Sequence, residues 1–181
     1  MRLADYLAKM RPTTTSPPRV KLAEIGWSWL GAFLGIGAVA IVEYHFLAGT
    51  DYVMVIGSFG ASAVLIYGAI KSPLAQPRNV LGGHVVSALV GVASYQLLHG
   101  WMWVACAVAV ATAIAVMHAL RCLHPPGGAT ALIAVIGGAK IHALGYLYAL
   151  IPAGLGALVM LIIAVLVNNL APTRRYPEYW W

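Results

Sequence analysis

The sequence predicts an all-α integral membrane protein of six membrane segments, arranged as two inverted repeats of three, each with one short broken helix. Three observations predict it: an apolar composition, four full-length apolar runs alternating with two interrupted ones, and a positional match between the halves. Of 181 residues, 61% are hydrophobic and 9% charged, against about 45–50% and about 25% in soluble domains. That balance excludes a cytosolic enzyme, a disordered tail and a disulfide-built secreted domain. Cys106 and Cys122 lie in apolar surroundings and read as small core residues. The net charge of +6 raises a nucleic-acid partner, but its distribution points to membrane topology.

The elements run in order along the chain. Residues 1–24 form an N-terminal segment on the cytoplasmic side. Leu3, Tyr6, Leu7 and Met10 repeat at helical spacing, which lays residues 2–10 flat on the inner leaflet. Three prolines make Arg11–Arg19 a linker. The basic stretch is too long, and the apolar run after it too extended, for a signal peptide. A membrane domain occupies 25–170. Its full runs, Ile25–Phe46, Val80–Leu98, Trp101–Leu120 and Leu144–Val167, reach the roughly 20 residues that span a bilayer. Tyr52–Ile70 and Leu123–Ala139 are weaker and interrupted by glycine or proline. The tail, 171–181, places Tyr176, Tyr179, Trp180 and Trp181 where aromatics favour the headgroup layer.

Charge arbitrates whether the weak segments cross. With six crossings, Arg2, Lys9, Arg11, Arg19, Lys21, Lys71, Arg78, Arg121, Arg174 and Arg175 fall inside and Lys140 alone outside. Lys and Arg gather on the cytoplasmic side, so six crossings are preferred, with both termini cytoplasmic and a bacterial plasma membrane as the expected location. The halves, 25–98 and 101–170, also match. Gly60-Ala61-Ser62-Ala63-Val64-Leu65 aligns with Gly128-Ala129-Thr130-Ala131-Leu132-Ile133 at an offset of 68, and Ser87–Val90 aligns with Gly156–Val159 one residue later. Small residues recur in membrane helices because they permit close packing, but two ordered matches favour duplication. Three crossings per copy invert the second, a transporter plan with its site at mid-depth between discontinuous helices.

Ala61–Ile70 and Ala129–Ala139 are each about 15 Å of helix, half of a ~30 Å hydrocarbon core. Pro125 and Pro126 are expected to keep Arg121–Gly128 extended, with Ile56–Gly60 as its counterpart, so that two half-helices point their N-termini at each other. Facing N-termini carry unsatisfied N–H groups and partial positive charge, which suits a small anion. The expected binding residues are Ser58, Phe59, Gly60, Ala61, Ser62, His84, His124, Pro125, Pro126, Gly127, Gly128, Ala129 and Thr130. Ser62 and Thr130 would donate hydroxyls, and His124 or His84 would add charge or pass a proton, with Arg78 and Asn79 beside His84. His118 reads instead as packing glue. Glu43 is the one carboxylate inside a span, near its outer end, with Asp51 in the outer loop; a cation pathway would show acids at depth.

Other chemistries are weaker. His118, Cys122 and His124 resemble metal-ligand spacing but lack a fourth ligand. A hydrolase triad would need a deep carboxylate, and no phosphate loop is present. Gly31, Gly35 and Gly37 read as a packing face. No enzyme activity, catalytic residue, metal or cofactor is expected. The partners are a small inorganic anion and the lipid bilayer, with self-association left open.

The run Leu123-His124-Pro125-Pro126-Gly127-Gly128-Ala129-Thr130-Ala131-Leu132 resembles the signature of the HPP family, named for its His-Pro-Pro. Gly57-Ser58-Phe59-Gly60-Ala61-Ser62-Ala63-Val64, Pro73-Leu74-Ala75-Gln76-Pro77-Arg78-Asn79, and Asn168-Asn169 through Tyr176-Pro177 and Trp180 agree with it, across most of residues 25–181. The resemblance implies an integral membrane protein, and relatives in chloroplasts and cyanobacteria are linked to nitrite transport. The family is usually described with four or five spans, and the charge split is the reason for six here. The expected function is therefore transport of a small monovalent anion, nitrite first; the alternative is an accessory membrane protein that moves nothing.

Overall fold

A computed structural model describes residues 2–50 and 52–181; Asp51 lies outside the described residues. The described chain is helical, without strands. Helix α1 (Leu3–Ala8) is a short exposed segment, and residues 11–21 are extended. α2 (Leu22–Val42) continues through a π-helical turn to Leu47. α3 (Gly57–Ala63) likewise widens into a π turn ending at Gly68. α4 (Pro77–Leu98) and α5 (Met102–Ala119) are long and continuous. α6 spans Pro125–Ile136, α7 spans Gly138–Leu144, and α8 spans Leu155–Leu170. Four helical stretches are long and apolar enough to cross a membrane: Leu22–Leu47, Pro77–Leu98, Met102–Ala119 and Gly138–Leu170.

Two boundaries correct the sequence reading. The last apolar run is not one rod: Ile151 leaves helical angles (φ −132, ψ 118) between α7 and α8. Proline at 152 disfavours the α region for the residue before it, which accounts for the break. The other correction concerns the His-Pro-Pro stretch. Helix α6 begins on the prolines, which occupy its first two positions. Proline is excluded from helix interiors because it lacks an N–H, but the first turn has no partner for that N–H anyway. The extended arm is therefore only residues 121–124, and α6 is about 18 Å long. α3 with its π turn is of the same length.

Small residues decide how these elements pack. On α4, Gly83, Ser87 and Gly91 recur every four residues and face α6. A Cβ at Gly91 would lie 2.5 Å from the Ala131 carbonyl oxygen, and one at Gly83 2.5 Å from His124 Cβ. Gly127 returns the contact: its Cβ would meet Ser87 Oγ at 2.7 Å and Met117 Sδ at 2.9 Å. α5 joins through Ala105, Ala109, Ala113 and Met117, all fully buried at helical spacing. On the other side α2 packs on α8 and on the π turn after α3. There Gly31 and Gly35 accept the ring of Tyr67, whose hydroxyl donates to the Met160 carbonyl at 3.0 Å. Gly37 has open space beside it, so the packing face expected on α2 ends at Gly35.

The tail packs back onto the helices. Tyr176 is buried, and its hydroxyl donates to the Ala75 carbonyl at 2.7 Å. Burial pushes this phenol above its ordinary range. Arg174, also buried, donates Nε to Glu24 Oε2 at 2.8 Å. Its other nitrogens reach the Glu24 and Tyr67 carbonyls, Ser28 Oγ and Asn168 Oδ1 at 2.8–3.0 Å. One guanidinium thus ties α2, the α3 segment and α8 together. Trp180 and Trp181 remain exposed.

Candidate functional site

α3 and α6 do not meet tip to tip. Ser58, in the first turn of α3, lies against Thr130 in α6, while Ser62 in α3 lies against His124 at the start of α6. Contacts that run forward on one helix and backward on the other mean that the two are antiparallel and overlap along their first turns. The cause is visible in α4, whose glycine stripe lets α6 come inward until His124 Cβ and the Cys122 carbonyl rest on Gly83. The head-on arrangement expected from the sequence is replaced by a side-by-side crossing.

At that crossing lie five polar side chains, Ser58, Ser62, His84, His124 and Thr130, all fully buried. Ser62 Oγ stands 2.7 Å from His84 Nε2 and 2.9 Å from His124 Nε2. His84 Nδ1 is 2.7 Å from Thr130 Oγ1, which is 2.9 Å from Ser58 Oγ. His124 Nδ1 is 2.7 Å from the Leu74 carbonyl oxygen. The two imidazoles are inclined edge to face, with ring centroids 5.1 Å apart, and Phe59 packs edge-on to His84 at 5.2 Å. Tyr148 closes the far side by donating to the Thr130 carbonyl at 3.1 Å. Among the described residues, every buried side-chain nitrogen and oxygen has a hydrogen-bond partner.

Of the residues expected at the site, these five and Phe59 come together. Ser58 and Ser62 are four apart and share one face of α3. Gly60 and Ala61 turn to the opposite, exposed face. Gly127 is buried against α4 and α5, outside the hydrogen-bonded cluster, while Pro126 is buried and touches the cluster only through its carbonyl, which accepts from Thr130 Oγ1 at 3.2 Å. Pro125 is exposed, and Gly128 and Ala129 are half-buried on the outer face of α6 beside Val110. The α6 end also offers few bare donors: Pro125 and Pro126 have no N–H, and the Gly127 N–H donates to the His124 carbonyl at 2.8 Å.

Both arms leading to the crossing are pinned by side chains. Glu43 Oε2 accepts from the Met54 and Val55 amides at 2.9 and 2.7 Å. On the other face Asn79 donates to the Leu123 carbonyl and Arg78 to the Leu120 carbonyl, each at 2.9 Å. Arg78 and Asn79 therefore hold the 121–124 link instead of standing beside His84 as free groups. Arg121 sits in that link at φ 56. His118 is exposed near the end of α5, so it does not glue helices together. Burial pushes the Cys122 thiol up. Among the described residues no three His, Cys, Asp or Glu side chains gather as metal ligands.

Sequence reasoning missed the Leu74 carbonyl, Tyr148 and the Arg174 network. Leu74 lies within the Pro73–Asn79 run that carries part of the family resemblance, and that is its only signal. Nothing in local periodicity marks Arg174, because its carboxylate partner is 150 positions away.

Comparison with known proteins bears on the whole chain. No solved structure matches it. A Dictyostelium discoideum protein described as a transmembrane protein is 48% identical over 98% of this chain and 58% of its own length. A second such protein from that organism is 48% identical over 100% of this chain and 65% of its own length. The chain thus spans about three-fifths of these relatives. Residues 17–177 match the family model described as HPP, transmembrane region. With that match over the apolar helices and the His-Pro-Pro crossing, the chain belongs to the HPP transmembrane family.

Proposed function

We propose that the chain carries a small monovalent inorganic anion across a membrane, with nitrite the first candidate, at the crossing of α3 and α6. The observation that carries this reading is the buried set of three hydroxyls and two imidazoles where two half-length helices overlap. Hydroxyl and imidazole N–H groups donate to an anion, and among the described residues no carboxylate bonds to the set, as a cation site would require. Side chains, not bare helix ends, supply the donors on α6. The groups bind one another in this conformation, so the reading makes it the closed state, which an arriving anion opens by replacing the mutual hydrogen bonds.

The proposed frame is six crossings in two inverted halves, with both termini on the basic side. Two features support it: the first long helix of each half packs on the last helix of the other (α2 on α8, α5 on α4), and the half-helices cross antiparallel. The reading assigns no reaction, metal or cofactor to the chain. A second reading, an accessory membrane protein, is favoured by the complete pairing of the cluster, since interhelical hydrogen bonds also serve as glue.

Uptake into liposomes decides between them. Purified protein should admit nitrite, with nitrate and formate as comparisons, and Ser62→Ala with Thr130→Ala should abolish it. No uptake, together with no anion-dependent rise in thermal stability in detergent, establishes the accessory reading.

A further inference from the structure

We infer that Ser58, Thr130, His84, Ser62 and His124 form a single-file proton relay whose terminal acceptor is His124. This rests on the transport reading, which supplies the flux that a relay would serve. Counting hydrogens along the file leads to it. A carbonyl oxygen only accepts, so His124 Nδ1, 2.7 Å from the Leu74 oxygen, carries a hydrogen. Neutral His124 then presents a lone pair at Nε2, and the Ser62 hydroxyl, 2.9 Å away, donates to it. Ser62 has no second hydrogen, so His84 Nε2, 2.7 Å from the same oxygen, is the donor there. His84 Nδ1 is in turn an acceptor and takes the Thr130 hydrogen across 2.7 Å. With its one hydrogen given to His84 Nδ1, the shortest of its contacts, Thr130 accepts from Ser58 Oγ, 2.9 Å away, instead of donating to it or to the Pro126 carbonyl at 3.2 Å. With both imidazoles neutral no other assignment satisfies all five contacts, and every hydrogen in the file points toward Leu74.

A second assignment satisfies the file equally well and differs by one proton. A proton bonding to Ser58 Oγ displaces the Ser58 hydrogen to Thr130, as that O–H breaks and a new one forms. The Thr130 hydrogen passes to His84 Nδ1, the His84 Nε2 hydrogen to Ser62, and the Ser62 hydrogen to His124 Nε2. Each hydroxyl oxygen along the way loses one hydrogen and gains one, His84 gains a hydrogen at Nδ1 and loses one at Nε2, and His124 gains one at Nε2, so the charge ends on His124 as an imidazolium. All five contacts survive, four of them with reversed polarity and the one to Leu74 unchanged, and the imidazolium now donates to both Leu74 and Ser62. Short separations make such a shift possible without moving a heavy atom far.

The surrounding titratable and charged groups are otherwise engaged. Tyr148 donates to the Thr130 carbonyl and Tyr67 to the Met160 carbonyl. Arg78 holds the Leu120 carbonyl, and Cys122 packs on Gly82. α5 faces the file with Met117, α3 brings hydroxyls and Phe59 but no titratable side chain, and α8 contains none along its length. The imidazoles are thus the only groups on the file that can hold the added charge.

Two measurements on the full chain test the relay. Histidine nitrogen NMR on labelled protein in bilayers should find the Nδ1–H tautomer at His124 and the Nε2–H tautomer at His84 when both are neutral. On acidification His124 should become the first of the two to carry both hydrogens. The reverse tautomers, or His84 charging first, overturn the inference. In liposomes with an internal pH dye, an imposed gradient with nitrite should drive proton influx. Ser62→Ala should reduce influx to the rate of empty liposomes, while Ser62→Thr, which keeps the hydroxyl, should retain it. Nitrite uptake that falls with Ser62→Ala but is indifferent to the gradient and moves no protons overturns the relay and leaves the transport reading standing. Proton influx that needs Ser62 but no nitrite supports the relay and removes nitrite as the cargo.

Discussion

Two buried polar networks hold this protein, and they differ in kind. The one at the α3–α6 crossing is built of hydroxyls and imidazoles, while the one at the tail is an ion pair, Arg174 with Glu24, surrounded by carbonyl and amide acceptors. A guanidinium has five donors in a fixed fork and stays charged, so the tail network has one arrangement. Hydroxyls rotate and neutral imidazoles exchange tautomers, so the crossing has at least two arrangements on one skeleton. Both bury polar groups without leaving any unpaired. One is suited to holding, the other to switching, and the choice of residue types makes the difference.

The contrast is broken most severely at the tail. Arg174→Leu leaves Glu24 Oε2, Asn168 Oδ1 and the Tyr67 carbonyl without the guanidinium donor, with only Thr173 still donating to Glu24 Oε1, and removing one partner of a buried pair costs about 3–5 kcal/mol. A large fall in detergent unfolding temperature is expected. Glu24 is partly exposed, which puts the loss at the lower end of that range. Arg174→Lys should lower stability less and leave nitrite uptake per folded molecule unchanged.

The packing beneath the crossing comes next. Gly127→Val pushes a branched side chain into Ser87, Met117 and the Gly83 carbonyl, and overpacking of this sort costs about 1–3 kcal/mol. Gly128→Ala, whose Cβ would lie 3.8 Å from Val110, should be within about 0.5 kcal/mol of wild type in the same melt. If the two variants melt alike, the close approach of α4 to α6 is wrong.

Thr130→Val removes the hydroxyl between His84 and Ser58 while keeping shape, stranding two buried polar groups at about 1–3 kcal/mol each unless they find each other or water. Here the signature differs from Arg174→Lys: a fall in melting temperature joined by a loss of uptake per folded molecule. A modest gain is expected at Arg121, which follows α5 in the left-handed region. A side chain there costs roughly 1–2 kcal/mol, so Arg121→Gly should raise the unfolding temperature by a few degrees, offset partly by glycine's greater freedom when unfolded.

Much of this was legible from residue order. Long apolar runs, two interrupted ones, and the types Ser62, Thr130, His84 and His124 are read from hydropathy and from the rarity of polar groups in apolar segments. What local pattern does not encode is how deeply two helices approach. The α3–α6 overlap depends on Gly83, Ser87 and Gly91, whose role emerges only once α6 is known to lie across them. Pro125 and Pro126 misled for a related reason. Proline forbids a helix interior but favours its first turn, and residues 127–136 decide between the two by packing as a helix on α4. The Arg174 clasp joins residues at opposite ends of the chain, beyond the reach of any window.

The two prolines have a consequence for the surroundings of α6. An amide without a partner is costly against acyl chains, and Pro125 lies exposed on the surface of the helices. Carrying no hydrogen on its nitrogen, that tip could face hydrocarbon with no wet vestibule on its outward side. Pro125→Ala would add a bare N–H to this exposed flank, whereas Pro126 is buried and its nitrogen never meets it.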